Sequence, residues 1–336
     1  MSQILSALLV IVLGVAGMML YFYGSNRILD TVLADKITPD GAVLQSRDKI
    51  RETIRPWLFI GPAILLLGLY LIYPAIQTFL LSFFDESSRN FVGLRNYEWA
   101  AGNGRFQVAL RNNILWLAIV PAACTILGLL IAVLADRVRW ESVAKSLIFM
   151  PMAISFVGAS IIWDFMYYYR SGEVQIGLLN AIVVALGGEP QGWVTLQPWN
   201  NFFLMVILIW IQTGFAMVLI SSALKGVPDE TLEAARIDGA SEVQIFFRII
   251  IPQITSTLLV VMTTLIILVL KVFDIVLTMT DGQWNTEVLA NYMDRLMFRG
   301  ATDYGRGSMV AVVIMLATLP IMIWNIRRFN REEKLR

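Results

Sequence analysis

Polar and apolar positions fall into long blocks along this chain rather than into the short alternations of a water-soluble fold. Asp, Glu, Lys and Arg are absent from residues 1–26, 56–84, 112–135, 146–163, 190–224, 249–270 and 307–326. The fourth block stays apolar to about Tyr169, and the dense part of the fifth runs from Asn201 to Leu224. About 20 mostly apolar residues cross a hydrocarbon core. No water is present there to satisfy free backbone groups, so each block predicts a helix. The pattern predicts an all-α, polytopic bundle of seven transmembrane helices, with Pro62, Pro74, Pro121 and Pro151 as tolerated kinks.

Composition narrows the chemistry. Of 336 residues, 57% are apolar and only 15% charged, and the mean hydropathy is +0.69. An ordinary soluble domain carries roughly 25% charged residues. These figures exclude a soluble enzyme, a disordered chain and a nucleic-acid binder; the net charge of +1 offers no field for a polyanion. There is no His, which removes Ser/His/Asp and Cys/His catalytic sets and most zinc sites. The single Cys, Cys124, permits no intrachain disulfide. No G-x-x-x-x-G-K-[ST] or G-x-S-x-G occurs. Neither a cofactor nor a metal is expected. Energy for uphill transport would come from an ion gradient or from another subunit.

The first block lacks the basic start of a secretory signal, since its first cation is Arg27, after the apolar run. A retained helix with its N-terminus outside is expected. Segments 24–55, 136–145, 224–255 and 327–336 hold 17 Lys and Arg, against 8 in the alternate segments 81–112, 167–200 and 280–307. The richer side is expected to be cytoplasmic. The expected organisation is an N-terminal helix over 1–26, a cytoplasmic linker over 27–55, a transmembrane domain over 56–326 and a cytoplasmic tail over 327–336.

One cytoplasmic loop, 225–254, carries the strongest signal. Pro228 can start a helix. Asp229, Glu230 and Glu233 crowd the end where the helix dipole favours negative charge. Gly239 is placed to end the helix in a left-handed turn, and Ser241 to cap a second helix. Ala234 and Ala235 form a small patch that allows a partner to approach closely; taken alone, the same stretch also suits an ordinary interfacial connector.

The stretch resembles the EAA motif of binding-protein-dependent ABC importers, EAA-x3-G-x9-I-x-L-P. It stands here as Glu233-Ala234-Ala235, Gly239, Ile249, Ile251 and Pro252, with Ile251 in place of Leu. The likeness extends over roughly 57–326 and is to carbohydrate permeases of the maltose type, in appearance nearest to those for alpha-glucosides. It implies a six-helix type I importer core behind one added N-terminal helix. It also implies a bacterial inner-membrane location, two cytoplasmic ATPase subunits, a second permease subunit, an extracytoplasmic sugar-binding protein and a sugar substrate. Glu233, Ala234, Ala235, Asp238 and Gly239 would then form the coupling element that docks on an ATPase. The large periplasmic insertion of some maltose permeases is absent, so binding-protein docking would fall on short loops.

Candidates for the solute path lie in the fifth and sixth blocks. Trp210, Gln212, Thr213 and Phe215 offer aromatic faces, an amide and a hydroxyl, which suit sugar C–H surfaces and hydroxyl groups. The resemblance puts Trp210 and Phe215 at aromatic positions that the maltose type uses for sugar; both also fit plain helix packing. Lys271 and Asp274, three residues apart, are expected on one helix face, either neutralising each other or lining a polar path. Trp163, Asp164 and Tyr167 to Tyr169 suit an interfacial belt. Asp281 to Trp284 suit a turn or a docking edge. The competing function is an ion-coupled secondary transporter using Lys271, Asp274 or Asp164.

Overall fold

The computed structural model describes residues 2–34, 36–37, 43–45, 47–136, 138–172, 174–300 and 302–333. The chain divides into two packed units, residues 1–77 and 78–336.

The first unit opens with α1 (Ser2–Val32), which continues past the charge-free block. Two short antiparallel strands follow, β1 (Lys36–Ile37) and β2 (Val43–Gln45), before α2 (Asp48–Leu81) begins. The segment 27–55 is therefore mostly two helix ends joined by a ribbon; its residues 35, 38–42 and 46 lie outside the described ones. Helix persists into the charged flanks because the charges are paired there. Arg55 reaches Asp30 at 2.7 Å, and Arg51 pairs with Asp48 one turn away. Phe22 stacks on Phe59 with ring centroids 5.2 Å apart, and the Tyr21 hydroxyl donates to the Leu58 carbonyl.

The second unit contains α3 (Arg95–Gly102), α4 (Gly104–Ala135), α5 (Glu141–Ala153), α6 (Phe156–Tyr167) and α7 (Leu178–Ala185). Then come α8 (Asn200–Lys225), α9 (Asp229–Ile237), α10 (Glu242–Leu270), α11 (Asp274–Met279), α12 (Leu289–Asp294) and α13 (Tyr304–Glu333). Among the described residues, six helices are long and apolar enough to cross a membrane, and seven if the bent pair α5–α6 counts as one span. Central to this unit is α8. Its Leu204, Ile207, Leu208, Ile211 and Met217 are buried with Trp116, Val120 and Cys124 of α4 and Val261 and Leu265 of α10. Lipid tails are as apolar as these side chains, so close packing and polar contacts, not water exclusion, hold such helices together.

Three expectations need correction. The fourth block is not one helix: α5 and α6 meet at 103°. Pro151 offers no N–H to continue the ladder, and Ser155 starts the next helix by accepting from the Gly158 amide at 3.0 Å. The helix of the sixth block does not carry on into the charges that follow it. It stops at Leu270, and Asp274 opens α11, so Lys271 and Asp274 do not share a helix face and no ion pair joins them. The charges fit the break, with the cation at a helix C-terminus and the carboxylate in a first turn, each complementing the local dipole. Finally, Tyr167 is no belt residue: it is buried, and its hydroxyl donates to the Phe203 carbonyl.

Two wide helical turns have a common cause. Gly68–Ile72 precedes Pro74, and Phe246–Ile250 precedes Pro252, each by one intervening residue. A proline ring clashes with the carbonyl four residues back. Widening the preceding turn moves that carbonyl aside, so the chain stays helical. The second helix of the 225–254 loop consequently runs straight into the sixth block.

Candidate functional site

Local sequence builds the exposed helix α9. Asp229 and Glu230 occupy its first turn and Arg236 its last. It ends in a closed turn, in which the Ala240 amide donates to the Ala235 carbonyl and the Gly239 amide to that of Arg236, both at 3.0 Å. That geometry needs a left-handed residue, and Gly239 supplies it with φ +83°. Asp238 is the last residue before the glycine. Ser241 and Gln244 then form a reciprocal capping box at the start of α10. Arg236 pairs with Glu242 at 2.8 Å across the turn, and that carboxylate raises the guanidinium pKa above its ordinary value. Ala235 packs inward, while Glu233 and Ala234 are exposed and Ile237 is 85% exposed. An acidic, small-residue face held between two fixed turns is suited to docking.

Further along α8, a cavity of about 400 Å³ opens at the two helix breaks. Met152, Ile154, Ser155 and Phe156 contribute from the α5–α6 bend, Gln212 from α8 and Asp274 from the start of α11. Gln212 is 5% exposed, and its amide has no hydrogen-bond partner among the described residues. An amide in an apolar wall is unfavourable without a partner, and this one opens onto the cavity. Of the other candidates, Trp210 packs edge-on against Trp163 with centroids 5.9 Å apart. The Thr213 hydroxyl donates to the Ile209 carbonyl of its own helix at 2.6 Å. Phe215 packs against the buried core, and Lys271 is exposed. The structure thus brings Gln212 and Asp274 together and leaves Trp210, Thr213, Phe215 and Lys271 off the cavity wall.

At the other end of α8 stands a rigid polar frame. Asn112 donates to the Asn285 and Glu287 carbonyls at 2.7 and 2.8 Å, and Asn200 donates to that of Trp284 at 2.7 Å. These bonds hold Trp284 and Asn285 in left-handed conformations, at φ of +51° and +63°; Asp281, at +47°, is held by Arg295 and Arg299. Such strain persists only where surroundings over-determine it. Glu287, 1% exposed, lies between Arg105 and Arg295 and accepts from Asn291. Burial raises its carboxyl pKa against the pull of Asn291 and the two arginines. No group of three or more metal-ligating side chains occurs among the described residues.

Residues 104–328 match the family model of the binding-protein-dependent transport system inner membrane component. The chain belongs to this permease family. The alpha-glucoside transport system permease protein AglF of Rhizobium meliloti (strain 1021) is 59% identical over 99% of both chains. The osmoprotective compounds uptake permease protein GgtC of Synechocystis sp. (strain ATCC 27184 / PCC 6803 / Kazusa) is 57% identical, over 83% of this chain and 100% of its own. A chain of a bacterial ABC transporter that imports the acidic polysaccharide alginate shares the fold, with a TM-score of 0.73 at 19% identity, covering 84% of this permease and 99% of that chain. The permease is thus a transport component rather than an enzyme, and its membership sets aside the ion-coupled alternative.

Sequence reasoning on this permease missed the Asn112–Asn200 frame and Glu287. The available signal was polar side chains inside or beside apolar blocks, which demand partners. It also missed Lys145 and Ser221, whose positions at block edges look like ordinary solvated flanks.

Proposed function

We propose that this permease is the membrane-spanning half of the path in an ATP-driven, binding-protein-dependent importer of neutral sugars, of the alpha-glucoside or short-oligosaccharide class. Its N-terminus lies outside and its C-terminus in the cytoplasm of a bacterial inner membrane. A second permease subunit completes the path, two ATPase subunits drive it and an extracytoplasmic binding protein delivers the sugar. The first helix and its connector precede the permease core of 56–326.

The observation that carries this reading is the course of α8. It runs from the cavity wall at Gln212 directly into the turn that presents α9. A push on α9 from a closing ATPase pair therefore acts on a helix that touches the solute. Glu233 meets the ATPase, the exposed Ala234 lets it approach, the inward-packed Ala235 seats the helix, and Asp238 and Gly239 fix the exit turn. In the cavity, Asp274 accepts from sugar hydroxyls and Gln212 both accepts and donates. The high identity to an alpha-glucoside permease supports the substrate class.

The test is a cysteine at position 233 in the assembled complex. It should cross-link to the ATPase subunit and react with a membrane-impermeant thiol reagent only from the cytoplasmic side. Reaction from the outside, with no cross-link, would overturn both the orientation and the coupling role.

A further inference from the structure

At the C-terminal end of α8 a second polar cluster ties three helices together. The Lys145 ammonium of α5 contacts Asp136 at the end of α4, Glu141 one turn back and Ser221 of α8. An ammonium has three donors, and each is used. Ser221 donates in turn to Asp136 at 2.9 Å, and Lys225 reaches Glu141 at 2.5 Å. Two cations and two carboxylates thus form a neutral cluster, closed into a loop by Lys145, Asp136 and Ser221, and its centre, Lys145, is only 15% exposed along its side chain.

Two helical turns before Ser221, α5 meets α8 without a side chain between them. A Cβ on Gly214 would lie 2.6 Å from the Ile148 carbonyl oxygen and 2.8 Å from the Phe149 Cα. Lys145 and Ile148 to Phe149 are spaced as one helix face, as are Gly214 and Ser221. So α5 is seated on α8 at two points on one line. Just past Phe149 comes the bend that supplies Met152, Ile154 and Ser155 to the cavity, opposite Gln212. Just past Lys225 comes α9.

We propose that Lys145 is a positioning residue that fastens α5 to α8, so that α9, α8 and the bend at 150–155 move as one body and a displacement of α9 changes the cavity wall. The seat at Gly214 sets the distance; the cluster at Lys145 prevents α5 from sliding or rotating. Its functional consequence rests on the coupling reading above, whereas the fastening itself does not.

Two measurements separate these. In the purified permease complex, hydrogen–deuterium exchange at residues 150–155 should speed up in Lys145→Met and in Ser221→Ala, and return to the parent rate in Lys145→Arg. Ser221→Ala removes an acceptor without stranding a charge, so it reports even where Lys145→Met fails to assemble. In proteoliposomes, solute taken up per ATP hydrolysed should fall about tenfold in Lys145→Met, in the range by which residues between two coupled sites alter their coupling, with Lys145→Arg near the parent ratio. Unchanged exchange at 150–155 in both variants would overturn the fastening. Faster exchange with uptake and hydrolysis falling in equal proportion would overturn the positioning role and leave only a structural one. Uptake by the parent complex without any hydrolysis would instead contradict the coupling reading, while the exchange result still decides the fastening.

Discussion

Gln212 and Asp274 face one cavity from two different helices, and the second of them is there because the helix of the sixth apolar block ends at Leu270 and a new one starts at Asp274. Had that block continued as one helix, Lys271 and Asp274 would have shared a face and no carboxylate would stand at the helix start. The break turns a pair of charges into a single acceptor group beside an amide, a combination suited to hydroxylated solutes. Replacing Gln212 with Leu, or Asp274 with Asn, should reduce uptake about tenfold or more, the scale of one or two lost hydrogen bonds to a buried polar or charged group. Assembly of the complex, followed by co-purification of its subunits, should be unchanged.

Trp210 behaves differently. Its ring packs against Trp163 beside the core and not on the cavity wall. Trp210→Ala should therefore destabilise the permease by part of the about 3–5 kcal/mol that a fully buried Trp costs, since the Trp210 ring is half-buried. Thermal unfolding of the purified complex checks this. Loss of uptake at full thermal stability would instead assign Trp210 to the solute path.

Gly239 holds φ +83°, where a side chain is strained. Gly239→Val should cost about 1–2 kcal/mol locally, fraying the exit of α9. Uptake should fall while membrane insertion and the amount of permease persist. Quantitative blotting alongside transport measures both.

Asp85 closes the turn that follows α2, accepting from the Arg89 amide at 2.9 Å and from the Asn90 side chain at 2.7 Å. The Arg89 backbone bond, with that from Asn90, lowers its carboxyl pKa from 3.8 to about 2. A lowered acid pKa means that the folded turn favours the carboxylate. Its contribution is complete above the unfolded value of 3.8 and is lost as the pH falls towards about 2. Exchange at the Arg89 amide, corrected for intrinsic rate, should show added protection above that window and none below it. In Asp85→Asn this pH dependence should vanish.

Glu287 stands between Arg105 and Arg295 beneath the strained loop at 281–285. Removing the buried carboxylate leaves the Asn291 amide without its acceptor and takes one partner from Arg295, at a cost of about 1–3 kcal/mol. Glu287→Ala should lower the thermal midpoint clearly, and Glu287→Gln less, since its carbonyl can still accept from Asn291. Equal midpoints for both variants and the parent would show that the frame does not depend on this carboxylate.

What was legible in the sequence was what neighbours in the chain decide. The acidic start of α9, the left-handed Gly239 and the cap at Ser241 all follow from residues within a few positions of each other, and the structure places each as the sequence suggests. The apolar blocks likewise announce helices, because lipid leaves the backbone no alternative. What stayed hidden depends on contacts between distant segments. The bend at Ile154 and Ser155 has a local cause in Pro151 and the Ser155 cap, yet the seat of the preceding turn on Gly214 of α8 joins segments far apart in the chain. The stop at Leu270 carries no glycine or proline, and only tertiary packing distinguishes it from a continuing helix. Lys145 looks like a solvated flank until Asp136 and Ser221 are seen beside it.

On the proposed coupling, motion imposed on α9 by a separate ATPase drives solute through this permease. Proteoliposomes holding the permease pair, loaded with ATP inside and given binding protein and labelled alpha-glucoside outside, test it most directly. With the ATPase present, uptake should occur in the parent and be abolished in Glu233→Lys, the inserted complex remaining intact. Uptake that continues without the ATPase, or that is unaffected by Glu233→Lys, would contradict the account.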